Sequence, residues 1–216
     1  MRTALIIGAT GLVGSAFLQL ILEDTTFDVV KIFVRKDTGI RHPKLKEWRV
    51  NFNQIDQWKH LIIGTDFFSC MGTTIKQAGS KQAQFVVDYT YQYECAVAAS
   101  ENGVNNYYLI SSGGANSKSP IFYSRIKGEL EDAISALPFQ KIFILQPSLL
   151  VGEREVKRTG EAIGEYLLAI ANAIGLFIKY QPIKATTVAK ALLKLANKTT
   201  DARKISTYAY GTIKDL

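Results

Sequence analysis

The sequence has little of what a disulfide or metal scaffold needs. Its 216 residues include two cysteines, Cys70 and Cys95, and two histidines, His42 and His60. No pair of them stands at metal-ligand spacing. Prolines number five, and no stretch approaches the roughly 18 consecutive apolar residues of a membrane span. Low-complexity tracts are missing as well. With hydrophobic residues at 47% and charged residues at 21%, disorder and collagen-like structure are excluded. The length is about 1.4 times a rough 150-residue prior. The expectation is therefore one reduced, metal-free, cytoplasmic domain over residues 1–216.

Charge of both signs is present but uneven. Lysine and arginine total 26 against 19 acids, a net +7. Residues 1–50 carry +3, residues 51–150 carry −1 and residues 151–216 carry +5. The densest basic stretch is Arg35 to Arg49. No aromatic-interleaved basic run or nucleic-acid module accompanies it, so a pocket for a phosphorylated small molecule is preferred to nucleic acid. The C-terminal surplus has no evident purpose.

The N-terminus could pass for a short signal peptide, but Gly8, Gly11 and Gly14 are poor material for a helical signal core. A strand, a glycine turn and an amphipathic helix explain the same residues better. Further along, the apolar period alternates between strand and helix. Strands are expected at Thr3–Ile7, Val29–Val34, Trp48–Phe52, Asp66–Cys70, Asn105–Ile110 and Lys141–Leu145. Helices are expected at Gly11–Leu22, Lys81–Glu101, Pro120–Leu137, Gly160–Ile174 and Thr187–Ala196. Strands separated by a dozen or more helical residues require crossovers and hence a parallel sheet. The fold class is α/β, a doubly wound parallel sheet, with residues from about 152 to 216 as a small cap beside it. An apolar stripe of Ile163, Tyr166, Leu167, Ile170, Ala171 and Ile174 reads as core rather than as a membrane or partner helix.

Gly8-Ala9-Thr10-Gly11-Leu12-Val13-Gly14 joins the first strand to the first helix. There a first glycine allows a tight turn, a second lets backbone approach a pyrophosphate, and a third allows close helix packing. The helix N-terminus adds free N–H groups and the positive dipole end. After the second strand comes Arg35-Lys36, before any acid. An acid there would hold the ribose of NAD, whereas Arg suits the 2′-phosphate of NADP. NADPH is therefore preferred, with NAD(H) possible.

Tyr123 and Lys127 are four residues apart on a helix and share a face. A neighbouring ammonium favours a tyrosinate, and a phenol so placed can exchange a proton with a carbonyl or alcohol. Ser111 and Ser112 end the fifth strand, where a hydroxyl can hold a carbonyl oxygen. Distance from Tyr123 favours Ser111.

These residues together resemble the short-chain dehydrogenase/reductase superfamily. The GxxGxxG spacing is similar to its extended and atypical branches, and the short chain points to the atypical one. More narrowly, Cys70-Met71-Gly72-Thr73-Thr74, Ile110-Ser111-Ser112-Gly113-Gly114-Ala115 and Tyr123-Ser124-Arg125-Ile126-Lys127-Gly128-Glu129 resemble the Tat-interacting-protein and oxidoreductase-like group. The resemblance implies a Rossmann-like NAD(P)-binding fold. It also implies that Gly8, Thr10, Gly11, Leu12, Val13 and Gly14 line the pyrophosphate, with Arg35 and Lys36 at the 2′-phosphate. Met71 and Gly72 would lie beside the adenosine and ribose, and Pro147 to Leu150 by the nicotinamide. Tyr123 would handle the proton, and Lys127 would assist it and bond the ribose. The usual place in the strand-end motif favours Ser112 over Ser111, so both serines remain candidates. Gln146 stands where extended members have Arg.

Three functions follow. The first is an NADPH-dependent oxidoreductase acting on a small carbonyl or alcohol. The second is a non-catalytic NAD(P) sensor with a protein partner. The third is a nucleotide-sugar epimerase or dehydratase, for which the cap offers few residues. Neither a membrane nor a nucleic-acid partner is expected, and oligomeric state is not indicated.

Overall fold

Thr3–Ile7 is a run of five buried residues and forms the first strand, β1. It is an interior strand of the main sheet in the computed structural model, which describes residues 1–152, 181–198 and 203–216. The glycine turn follows, and then helix α1, Leu12–Glu23, which buries Val13, Gly14, Phe17, Leu18, Ile21 and Leu22. That spacing is the 3.6-residue apolar period read from the sequence. Strand β2 is Val29–Val34 and β3 is Leu45–Arg49. Two short 3-10 turns lead to β4, Asp66–Ser69.

A four-residue helix α2, Ile75–Ala78, precedes a long helical stretch. This stretch comprises α3 (Lys81–Phe85), a π turn (Val86–Thr90) and α4 (Tyr91–Glu101). Ser80 caps α3 by accepting from the Ala83 N–H. Next come β5, Asn106–Ile110, helix α5, Phe122–Ser135, and β6, Lys141–Gln146. Two-residue strands β7, Leu150–Val151, and β8, Ile183–Lys184, pair with each other. Helix α6, Ala185–Asn197, strand β9, Ile205–Ala209, and helix α7, Tyr210–Asp215, complete the described chain.

The main sheet has seven parallel strands in the order β3-β2-β1-β4-β5-β6-β9. The direction of winding reverses at β1, so the crevice beyond the ends of β1 and β4 is the switch point where open α/β sheets bind ligands. One apolar layer under the sheet gathers Phe17, Phe68, Tyr108 and Phe143 with α1 and α6. Three of these rings sit in register on β4, β5 and β6, with stacked centroids 4.5 and 4.8 Å apart. The opposite layer holds Phe67, Tyr107 and Phe139 with α4 and α5.

The expected α/β class with a doubly wound parallel sheet is what the chain adopts. The third strand lies upstream of Trp48–Phe52, because register with β2 pairs Leu45 with Val30 and ends at Arg49 opposite Val34. Strand β9 was not anticipated. Of the stretch expected as a cap, the described parts supply this edge strand and α6, which packs on α1. The expected helix at 160–174 and its apolar stripe lie outside the described residues.

A buried carboxylate ties the N-terminal edge of the sheet together. Asp66 is fully buried and accepts from Arg2 Nε at 3.0 Å and Nη2 at 2.9 Å, Thr65 Oγ1 at 2.7 Å, Asn106 Nδ2 at 3.0 Å and Tyr108 OH at 3.2 Å. Burial works against the Arg2 charge, but Asp66 outweighs it and raises the guanidinium pKa. Asp66→Ala leaves these donors unanswered, so urea unfolding of the variant should show a loss of about 3 kcal/mol. A loss under about 1 kcal/mol would contradict this account.

Candidate active site

The glycine turn is shaped by close backbone approach. Gly8 has φ +75°, and a Cβ there would lie 2.5 Å from the Cys70 carbonyl carbon and oxygen and 2.6 Å from the Met71 nitrogen. A Cβ on Gly14 would lie 2.1 Å from the Gly8 carbonyl oxygen. Gly11 tolerates more: its Cβ would sit 3.2 Å from that same oxygen. Gly11 is the N-cap of α1 and offers no side-chain acceptor, so the first N–H groups of the helix are uncapped by side chains. Thr10 and Gly11 are exposed, Leu12 is half-buried, and Val13 and Gly14 are buried. A backbone cradle left open by missing Cβ atoms, at a 12-residue helix's positive end, fits a pyrophosphate.

Neighbouring strand ends converge on this turn. Arg35 and Lys36 follow β2 directly and are exposed, two residues past the pairing of Phe33 with Ile7. Met71 packs on the core and Gly72 is exposed, just beyond β4. Pro147 is buried, and Leu150 is half-buried in the α1 layer. A Cβ on Gly152 would meet the Leu12 side chain at 2.1 Å, so this segment lies over the start of α1.

Helix α5 carries Tyr123, Lys127 and Glu131 at successive i+4 positions. The Lys127 ammonium stands 5.9 Å from the Tyr123 ring centroid. It is buried, with 3% of its side chain exposed, and bonds Asp88 Oδ1 at 2.8 Å. Burial alone would lower its pKa, but Asp88, together with Tyr123 and Glu131, more than compensates and leaves it raised. Gly128, one residue on, lets the loop lie directly on the helix: a Cβ there would stand 2.1 Å from the Ser117 nitrogen. This places the loop after Ser112 across the N-terminal half of α5.

The two serines part company. Ser111 is buried and donates its hydroxyl to Glu131, which also accepts from Gln146 Nε2 at 3.0 and 2.9 Å. Burial pushes the Glu131 carboxyl up, against the pull of those two partners. Ser112 is half-buried, and its hydroxyl has one long contact of 3.4 Å to the Gly113 carbonyl. Of the pair, Ser112 is the one with a hydroxyl to offer.

The contacts of Asp88 with Lys127 and of Glu131 with Ser111 were not read from the sequence. Asp88 is ion-paired and fully buried. Glu131 continues the Tyr123–Lys127 face by one more turn, a signal the helical period already contained. Cys70 behaves as packing: burial pushes its thiol up to about 12, although the residue as a whole keeps some exposed surface. Among the described residues no group of His, Cys, Asp and Glu could hold a metal, and no helix is long and apolar enough to cross a membrane.

No family model matches the chain. The Protein FMP52, mitochondrial, of Debaryomyces hansenii is 34% identical over 212 residues, covering 91% of this chain and 88% of that protein. Its namesake in Meyerozyma guilliermondii is 38% identical over 156 residues, covering 70% of this chain and 66% of that one. Among solved structures, a short-chain dehydrogenase/reductase superfamily protein from Agrobacterium tumefaciens with bound NAD superposes with TM-score 0.73 at 14% identity, over 97% of this chain and 77% of that one. The Thermus thermophilus UDP-glucose 4-epimerase complexed with NAD gives TM-score 0.69 at 17% identity, over 99% and 80%. These likenesses bear out the Rossmann-like NAD(P)-binding fold. They also overturn the cytoplasmic expectation, since the relatives are named as mitochondrial proteins.

The two tight glycines differ in a testable way. Gly14→Ala forces backbone apart and should cost about 2–3 kcal/mol in urea unfolding, whereas Gly11→Ala should stay within about 1 kcal/mol of wild type. Equal losses would show that the turn does not pack as described.

Proposed function

The chain belongs to the family of the FMP52 proteins, and from that premise we propose that it is an NADPH-dependent oxidoreductase of the atypical short-chain dehydrogenase/reductase type. The observation that carries the reading is the Lys127 ammonium, buried beside Tyr123 on the helix that borders the switch-point crevice. A buried lysine is costly to maintain, and here its charge is held by the ion pair with Asp88. The likeness of the strand-end and Tyr–Lys motifs to the Tat-interacting-protein and oxidoreductase-like group supports the same chemistry.

The residues divide the work by position. Gly8, Thr10, Gly11, Leu12, Val13 and Gly14 hold the pyrophosphate through backbone N–H groups. Arg35 and Lys36 take the 2′-phosphate, which favours NADPH over NADH. Met71 and Gly72 border the adenosine and ribose, and Pro147 to Leu150 border the nicotinamide ring. When bound, the nicotinamide supplies or takes up the hydride. The Tyr123 hydroxyl gives a proton to the substrate carbonyl oxygen in reduction, or takes it from the alcohol in oxidation. Lys127 steadies the negative charge that develops on the phenol oxygen and bonds the ribose. Ser112 donates to the substrate oxygen, while Ser111, committed to Glu131, fixes the strand end. The substrate is a small carbonyl or alcohol.

Two measurements test this. Tyr123→Phe should abolish NADPH consumption over a panel of small aldehydes and ketones while NADPH affinity stays within about threefold. Turnover unchanged by the substitution would sink the catalytic assignment. No consumption by wild type, together with a protein captured only when NADPH is present, would favour the sensor instead. Separately, Arg35→Ala should weaken NADPH binding by about tenfold or more, with NADH binding nearly unaffected. Equal weakening of both dinucleotides would remove the 2′-phosphate role.

A further inference from the structure

The surplus of positive charge in residues 151–216 is a feature that the proposed reaction does not use. Part of it gathers on α6. Lys190, Lys194 and Lys198 are exposed and recur every four residues, so they form one row along and just beyond that helix. The row borders a groove of about 430 Å³ between α1 and α6, lined by Leu20 of α1 and by Lys190, Leu193, Lys194, Asn197 and Lys198. Leu20 and Leu193 are half-buried and pack on the core beneath, which gives the groove an apolar floor. Asn197 closes one end, where its Nδ2 donates to Asp24 at 2.9 Å.

Nothing in the fold neutralises these lysines. The groove lining includes no acid, and among the described residues none of the three ammoniums has an ion pair or hydrogen bond. Like charges at i+4 spacing destabilise a helix. Lys194 and Lys198 recover part of that at the negative end of the helix dipole. Lys190, sixth of the 13 residues of α6, lies too far from that end to do so. A row of bare cations beside a recessed apolar floor complements a surface with carboxylates at the same pitch beside an apolar stripe.

We propose that this groove docks an acidic amphipathic helix of a partner protein, with carboxylates at i, i+4 and i+8 on the lysine row and apolar side chains between Leu20 and Leu193. Pitch supports a helix: four residues advance about 6 Å on α6 and on any helix lying along it, so three successive charge pairs keep register. A bilayer fits less well. Interfacial binding needs large apolar side chains that stand out from the surface, and none of the exposed large hydrophobics among the described residues lines this groove. Phosphate recognition favours the planar fork of arginine, and the lining has lysine alone.

Fluorescence anisotropy with a designed probe tests this. The probe is a stapled helical peptide with glutamates at three successive i+4 positions beside a row of leucines, titrated with the full chain at about 50 mM salt. Wild type is expected to bind it with a Kd below about 100 µM. The double substitution Lys190→Glu and Lys194→Glu, at exposed positions, should weaken binding by about tenfold or more. Leu193→Ser should weaken it by about threefold or more. Lys46→Glu with Arg49→Glu, an equal charge reversal at exposed positions of β3, should leave it within about twofold. No binding in that range would overturn the proposal. Equal weakening by the two reversals would overturn it too, because the attraction would then be to net charge and not to this groove. A parallel arm replaces the peptide with vesicles of phosphatidylserine and phosphatidylcholine. Co-sedimentation abolished by Lys190→Glu and Lys194→Glu, with the peptide unbound, would assign the face to a membrane and overturn the proposal. Neither arm contains a dinucleotide, so the outcome is separate from that of the NADPH reading.

Discussion

The close approach of the Gly8 backbone to the backbone of Cys70 and Met71 governs the whole C-terminal edge of the sheet. Strands β1 and β4 are neighbours in the sheet, and Ile7 pairs with Ser69. The chain must turn away from both at the same level, with one helix leaving below the sheet and one loop leaving above it. Only a residue without Cβ, at φ +75°, lets β1 turn into α1 while β4 runs alongside. Gly14 then allows the first turn of α1 to seat on the Gly8 carbonyl oxygen. With those contacts made, the helix's first N–H groups and the 70–74 loop face one crevice. A side chain at position 8 would push the two strand ends apart, and the crevice would lose its floor.

Two ion pairs with buried carboxylates sit at opposite ends of the sheet, and their surroundings differ. Asp66 is surrounded by donors from Arg2, Thr65, Asn106 and Tyr108 and ties β1, β4 and β5 at their starts. A pair so fully answered works as a structural clamp, where the desolvation of the carboxylate is offset by several charge-assisted bonds. Asp88 and Lys127 are buried on both sides of the pair, yet one carboxylate oxygen has no partner and a glycine lies over them. Replacing this pair with apolar residues of equal volume would suit the fold at least as well. Glu131 repeats the arrangement one helical turn on: it holds Ser111 and Gln146, and so fixes the ends of β5 and β6 against α5.

Much of this could be read from the sequence wherever apolar period and turn chemistry agreed. Val29–Val34 is β-branched and bounded by charge, and it forms a strand over those same residues. The glycine turn was legible because three glycines at fixed offsets followed an apolar run. The third strand was misplaced because Trp48, Val50 and Phe52 drew the reading downstream. Its true position is set by pairing with β2, a long-range constraint that a local window does not contain. Strand β9 escaped for a related reason: Ile205–Ala209 alternates weakly and owes its place to β6. The partnership of Asp88 and Lys127 spans 39 residues and two helices. The π turn that aims Asp88 inward leaves no mark in composition. The choice between Ser111 and Ser112 could not be made before Glu131 claimed the first.

Two groups of basic residues can be told apart among the described residues. Arg35 and Lys36 lie exposed at the end of β2, on the edge that carries the glycine turn. Lys190, Lys194 and Lys198 recur at i+4 spacing along and just beyond α6, lining a groove with Leu20, Leu193 and Asn197. Asn197 bonds Asp24 and Thr26, which places the end of α6 beside the end of α1. Helix α1 is about 18 Å long by its 1.5 Å rise per residue, so this end is about twice a Debye length from the turn at physiological salt. Charges so far apart through solvent are screened from one another. Lys194 and Lys198, at the far end of α6, therefore contribute little to the potential at the glycine turn, to which Arg35, Lys36 and the uncapped start of α1 lie closer.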